Sequence, residues 1–362
     1  MSRFSRDRRV FFFEEPIHEG AEAYLRVSEC SKSGVYVCTP VLPHRLTATS
    51  AAEEQKRMLD DLIGEHHIIR YAAWYYTPMA REFSRHLRPQ VTVYDCMDEL
   101  SAFAGAPPAM KANEQELFAH ADLVFTGGTT LYEAKRKQHD LVYAFPSSVD
   151  VAHFAKARAL NTEPEDQRVI PFPRIGYAGV IDERMDVALL SQIAGLKQDW
   201  HYVMLGPVVK IDPAILPKAA NIHYLGMKQY ADLPAYFSGW KIGLLPFALN
   251  ESTRYISPTK TPEYLAAGLR VVSTPIRDVV TPYGDLGLAA IANNASDFVR
   301  VAERQMTGLP SSDFQARVDL FLAQSSWEKT WNAMNELMVN SADSKQVSAG
   351  VKGGRLASVA HV

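Results

Sequence analysis

The chain of 362 residues has no apolar run approaching the roughly 20 residues that a membrane-spanning helix needs. Phe11-Phe12-Phe13 is short, and Glu14 and Glu15 follow it at once. The first residues, MSRFSRDRR, are basic but run into a strand pattern rather than the apolar core of a secretory leader. Cysteine is scarce. Cys30, Cys38 and Cys96 have no metal-ligand spacing, and an odd count of 3 fits a reducing compartment better than a disulfide framework. These features point to a cytoplasmic protein, with peripheral contact to a membrane left open. Charge of one sign is lacking too: the net charge of −3 gives no basic field for nucleic acid. No G-x-G-x-x-G is present, so a nicotinamide dinucleotide is not indicated, and no short repeat is visible.

What is present is ordinary globular composition, 47% apolar and 22% charged, over a length that suits two domains. Strand patterns at 9–15, 34–39, 68–74, 91–95, 123–126 and 141–145 alternate with helical patterns at 51–63, 78–87, 113–119 and 130–137. A polar stretch at 161–168 reads as a linker. A second alternation follows, with strands at 174–178, 202–205, 222–225, 242–247, 271–274 and 288–291 and helices at 184–196, 231–238, 261–267 and 295–306. Alternating strands and helices predict an α/β protein with two parallel, helix-covered, Rossmann-like units. The domains are expected at 1–160 and 168–325. Trp327, Trp331, Met334 and Met338 form one helical stripe in a terminal helix over 326–340. The small, polar stretch 341–362 reads as a disordered tail.

The segment SPTKTPEYLAAGLRVVSTP, residues 257–275, is the most informative. Two apolar strand patterns flank a polar loop and a two-turn helix, for which Thr261 is the expected N-cap, Pro262 the first residue and Gly268 the terminator. Lys260 and Glu263 stand at the start of that helix. A lysine for phosphate and a carboxylate for sugar hydroxyls, three residues apart, suit the two parts of a nucleoside diphosphate. The same residues are also compatible with a solvated loop lysine and an acid that complements the helix dipole.

The run Pro258-Thr259-Lys260-Thr261-Pro262-Glu263-Tyr264-Leu265-Ala266-Ala267-Gly268 resembles the nucleotide-sugar segment of GT-B glycosyltransferases of the retaining, family-four type. The resemblance implies two Rossmann-like domains facing across a cleft, with the donor on the C-terminal domain and the acceptor on the N-terminal one. It implies that Lys260 meets the donor diphosphate and Glu263 the ribose. It further implies that the last helix crosses back to the N-terminal domain. The family often carries a second glutamate eight residues upstream, where this chain has Tyr255. Gly176-Tyr177-Ala178-Gly179, ending the first strand of the second unit, resembles the family's glycine loop. Gly179 would approach the diphosphate, and Arg184 would be a second cation beside Lys260. Gly206 closes the next strand, and the base would meet backbone near Met227 and Lys228. Taken without the resemblance, these glycines read equally as turns.

Glycosyltransferases of the other major fold hold a divalent cation with Asp-x-Asp, which this chain lacks. No metal and no cofactor are therefore expected, the nucleotide sugar being a substrate. On the acceptor side, Asp95, Asp98 and Gly127 follow strands, with solvated or capping roles as the alternative. The resulting expectation is sugar transfer from a nucleotide-sugar donor to a cell-surface polysaccharide or glycolipid acceptor, with retention. A catalytically silent module of the same fold is the main alternative, and a nucleotide-sugar epimerase another, although the acids and histidine it needs are not placed. The 9–15 strand follows what reads as the end of a helix, so the first, central strand of the N-terminal sheet is expected upstream of Met1. The alternative is that another segment fills that slot.

Overall fold

A computed structural model describes residues 1–160, 162–307, 312–348 and 358–361. The strands are β1 (Arg9–Phe13), β2 (Ile17–His18), β3 (Tyr24–Glu29), β4 (Tyr36–Leu42), β5 (Ala72–Tyr75), β6 (Val91–Cys96), β7 (Leu123–Thr126) and β8 (Val142–Ala144) in the N-terminal half. They continue with β9 (Arg174–Ala178), β10 (His201–Leu205), β11 (Ile222–Gly226), β12 (Ile242–Leu245), β13 (Arg270–Ser273), β14 (Ala289–Ile291) and β15 (Ser358–His361). The first sheet runs β2-β4-β1-β15-β5-β6-β7-β8, with β3 antiparallel on β4, and the second runs β11-β10-β9-β12-β13-β14. Every residue of β5, β6, β7, β9 and β12 is buried. Continuous burial, rather than alternation, is what parallel strands covered on both faces require.

The second sheet has the 3-2-1-4-5-6 order, so its topological switch lies between β9 and β12, the place where such sheets bind ligands. The first sheet has the same outline, and β1 is its second strand rather than its central one. The slot between β1 and β5 is filled by β15, which pairs in parallel with both. Two corrections follow for the stretch read as a tail. The terminal helix runs on through Trp327–Ser348, because Met338 and Ala342 continue its buried stripe. Beyond it, β15 supplies the backbone partners that the two facing strand edges need.

The terminal helix packs on the N-terminal half, where Met338 and Ala342 share a core with Phe4, Trp74 and Phe125. Ser148 Oγ meets Thr330 Oγ1 at 2.8 Å, and Lys345 pairs with Asp122. Sequence reading missed β2 and β3; β3 is almost wholly exposed and lacks an alternating pattern.

The two halves also touch directly. Asp278 Oδ1 accepts hydrogen bonds from Thr130 N, at 3.0 Å, and Thr130 Oγ1. Arg277 pairs with Glu133 at 2.7 Å. Across the cleft, the Arg184 guanidinium lies 5.6 Å from the centre of the Phe103 ring.

Candidate active site

The short helix Lys260–Ala266 is held by its own apolar face. Tyr264 and Leu265 are fully buried, and the Tyr264 hydroxyl accepts a hydrogen bond of 2.8 Å from Ala178 N at the end of β9. Gly268 N bonds Leu265 O and Leu269 N bonds Tyr264 O, the pair of bonds that closes a Schellman motif. The start differs from the sequence reading. The N-cap is Thr259, without a side-chain cap, so Thr261 lies inside the first turn, its N–H given to Pro258 O. Pro262 still fits, because the first four N–H groups of a helix have no intrahelical acceptor. Thr261 is 0% exposed, and its Oγ1 has no partner in the protein.

Lys260 is thereby placed over the end of β9. A Cβ on Gly179 would stand 2.1 Å from Lys260 Cε, and one on Gly206 would stand 2.0 Å from Gly179 O. With φ of +153° and +136°, both positions admit little but glycine. The two sequence-predicted glycines thus form a stacked pair of loops under the lysine. Its Nζ is 5.5 Å from the centre of the Tyr177 ring.

Arg184 joins this group from a loop rather than a helix. The helix that was expected from 184 starts at Val187, because Asp186 caps it by accepting from Leu189 N at 2.8 Å. Asp182 turns the loop back on itself. It accepts from Arg184 N at 3.0 Å and pairs with the guanidinium through Nε and Nη2, the latter at 2.6 Å. Nη1 takes no part in that pair. Asp182 is the partner that sequence reading missed; its place two residues before an arginine in a strand-end loop was the available signal.

Electrostatics link the set. Burial lowers the pKa of Lys260, with Glu263 opposing, Arg184 adding and Asp182 opposing. Burial raises that of Glu263 to about 7, with Lys260 opposing. Burial also raises Asp98, with the charge of Arg184 opposing. Lys260 thus sits against Gly179 and Gly206, and Glu263, Arg184 and Asp98 belong to the same set of interacting charges.

The remaining candidates are held differently. Asp95 is 3% exposed and accepts from Trp74 Nε1 at 3.1 Å. It lines a small pocket of about 180 Å³ with Tyr76 and Trp331. Gly127 is packed on the backbone of the loop after β6, where a Cβ would be 2.5 Å from Met97 O. Met227 is 73% exposed on the loop after β11. Near it, Tyr230 stacks on His153 with ring centres 4.3 Å apart, a half-exposed aromatic pair that sequence reading did not single out. Among the described residues, no group of three or more His, Cys, Asp or Glu is placed to hold a metal ion. Likewise, no described helix is long and apolar enough to cross a membrane.

No protein-family model matches the chain. "Putative teichuronic acid biosynthesis glycosyltransferase TuaH" of Bacillus subtilis (strain 168) is 22% identical over 224 residues, 57% of this chain and 55% of that protein. The chain thus spans about half the length of the curated relative it matches. Among solved structures, sucrose-phosphate synthase from Thermosynechococcus elongatus superposes with a TM-score of 0.68 at 14% identity, over 96% of this chain and 91% of that one. The α,α-trehalose 6-phosphate synthase from Burkholderia multivorans gives 0.66 at 12% identity, over 96% and 100%. Anabaena HepE, in complex with UDP and glucose, gives 0.60 at 11%, over 88% and 97%. The chain thus has the GT-B fold, two Rossmann-like units across a cleft.

Proposed function

We propose that the protein transfers a sugar from a nucleotide-sugar donor to a glycan or glycolipid acceptor, with retained configuration and without a metal ion. The observation that supports this most is the meeting of Lys260, Glu263 and Arg184 above the glycine pair, at the switch point of the C-terminal sheet. In this reading the donor diphosphate lies against Lys260 Nζ and the free Nη1 of Arg184, and Glu263 accepts hydrogen bonds from the ribose hydroxyls. The bond from the sugar's anomeric carbon to the diphosphate oxygen breaks as the acceptor oxygen bonds that carbon, and the acceptor's proton passes to the departing diphosphate oxygen. Charge builds on the departing diphosphate, and two fixed cations in a partly buried crevice stabilise it without reorganisation. Bound diphosphate would also restore the full charge of Lys260, which burial disfavours in the free protein.

Tyr255 supports a second reading, a module that binds the donor without turning it over. It stands where the resembled family often has a glutamate, and it packs against the N-terminal apolar cluster. One experiment separates the two. UDP and GDP are titrated against wild type and Lys260→Ala, and donor hydrolysis and transfer are followed by NMR, which reads the product's anomeric configuration. Nucleotide binding that falls about tenfold or more in the variant, with turnover in wild type, is expected. Binding without turnover favours the silent module. Absence of nucleotide binding by the folded protein refutes both.

A further inference from the structure

A cavity of about 860 Å³ opens at the carboxyl ends of the N-terminal strands. Phe103 belongs to its wall, and the same ring faces Arg184, so the cavity adjoins the candidate donor site. The neighbouring backbone ties the two sides together: Ala104 N donates to Glu183 Oε1 at 3.4 Å. This volume is within the usual range of ligand pockets.

Its lining has two characters. Phe12, Phe13, Tyr76, Phe83 and Phe103 supply aromatic surface. Glu14, Glu15 and Glu82 supply carboxylates, and Lys210, reaching over from the C-terminal half, is the cation in the lining. The acids are held by neutral groups. Glu14 Oε2 accepts from Thr39 Oγ1 at 2.6 Å, and Glu82 Oε1 accepts from Asn113 Nδ2 at 3.1 Å. Glu15 is exposed. Three carboxylates facing one lysine leave the wall net negative.

Resting on the glycosyltransferase reading, we infer that the acceptor end entering this cavity is a sugar free of phosphate and carboxylate groups. Carboxylates accept strong, charge-assisted hydrogen bonds from sugar hydroxyls or an ammonium group. Aromatic walls with a few placed polar groups suit the alternating apolar and hydroxylated surface of a pyranose. A phosphate or uronate would bring like charge against three acids, a cost that excludes it more than any contact attracts it. The cations of the cleft lie beyond Phe103, where the diphosphate is placed.

The test measures binding of matched sets built on glucose, galactose and mannose: the parent sugar, its 2-amino form, its 6-phosphate and its uronate. Saturation-transfer NMR is run on the full chain with and without UDP. The neutral and amino sugars are expected to bind at least about tenfold more tightly than their anionic counterparts. Glu15→Lys, at an exposed position, is expected to narrow that gap. Anionic sugars binding as tightly as neutral ones overturn the inference. So does the failure of every sugar to bind while nucleotide titration shows an intact donor site. A protein that binds no nucleotide refutes the proposed function instead, and the ranking of sugars without UDP still decides the inference.

Discussion

Replacing Glu263 by Gln separates what the site costs the free protein from what it gives a ligand. Burial pushes this carboxyl from 4.5 up to about 7, with Lys260 opposing. In the unfolded chain the group ionises near its ordinary value. Between the two values, therefore, the folded chain keeps a proton that the unfolded chain has released. Stability falls as pH rises through that window and stays reduced above it. A rise of that size, which already includes the opposing pull of Lys260, corresponds to about 3 kcal/mol at most. Glutamine has the same shape and no charge to bury. The Glu263→Gln protein should thus be about 1–3 kcal/mol more stable than wild type near pH 8, with the gap closing towards about pH 4.5. Urea unfolding at both ends of the window measures this. The same substitution weakens the acceptor for ribose hydroxyls, so UDP or GDP should bind about tenfold more weakly or worse. A variant no more stable than wild type near pH 8 refutes the argument from burial. Unchanged nucleotide affinity refutes the ribose role.

Three further outcomes are expected. Gly179→Ala puts a methyl group 2.1 Å from Lys260 Cε on a backbone with φ of +153°; the lysine must move aside and the backbone is strained, so nucleotide affinity should drop about tenfold and the melting temperature should fall with it, and calorimetry with a thermal scan checks both. If Arg184 and Lys260 carry the charge, as proposed, donor turnover should survive excess chelator; loss of turnover that Mg²⁺ or Mn²⁺ restores would show that assignment to be wrong. Asp278→Ala removes the acceptor shared by Thr130 N and Oγ1; transfer should fall several-fold more than nucleotide affinity, with a larger radius of gyration in solution scattering, since the contact joins the halves and lies outside the donor site.

The C-terminal unit was legible because its signals are local. Strands with continuous apolar character, Gly and Pro at their ends, and Lys260 and Glu263 three residues apart together foretold the β9–β12 crevice. Arg184 was singled out but not its pairing with Asp182, which depends on a loop that folds back where a helix pattern begins. Long-range placements were less visible. Asp95 and Asp98 look alike in sequence, yet one is turned inward to Trp74 and the other feels the charge of Arg184. The occupant of the slot between β1 and β5 could not be read, because parallel pairing carries no local signature and β15 lies more than 340 residues beyond β1. The cavity wall was missed for the same reason: Glu14, Glu82 and Phe103 belong to three different strand-end segments.

Those three segments complete the electrostatic picture of the cleft. On one side of Phe103 stand Lys260 and Arg184, the first with its charge disfavoured by burial and the second already paired with Asp182. On the other side stand Glu14, Glu15 and Glu82. A ligand with an anionic and a neutral end can satisfy this gradient in one orientation only. On the proposed function a nucleotide sugar is such a ligand: its diphosphate would lie by the cations, and an uncharged hexose would point at the acids. The acids then do not need to bind the donor to orient it, because repelling the diphosphate is enough.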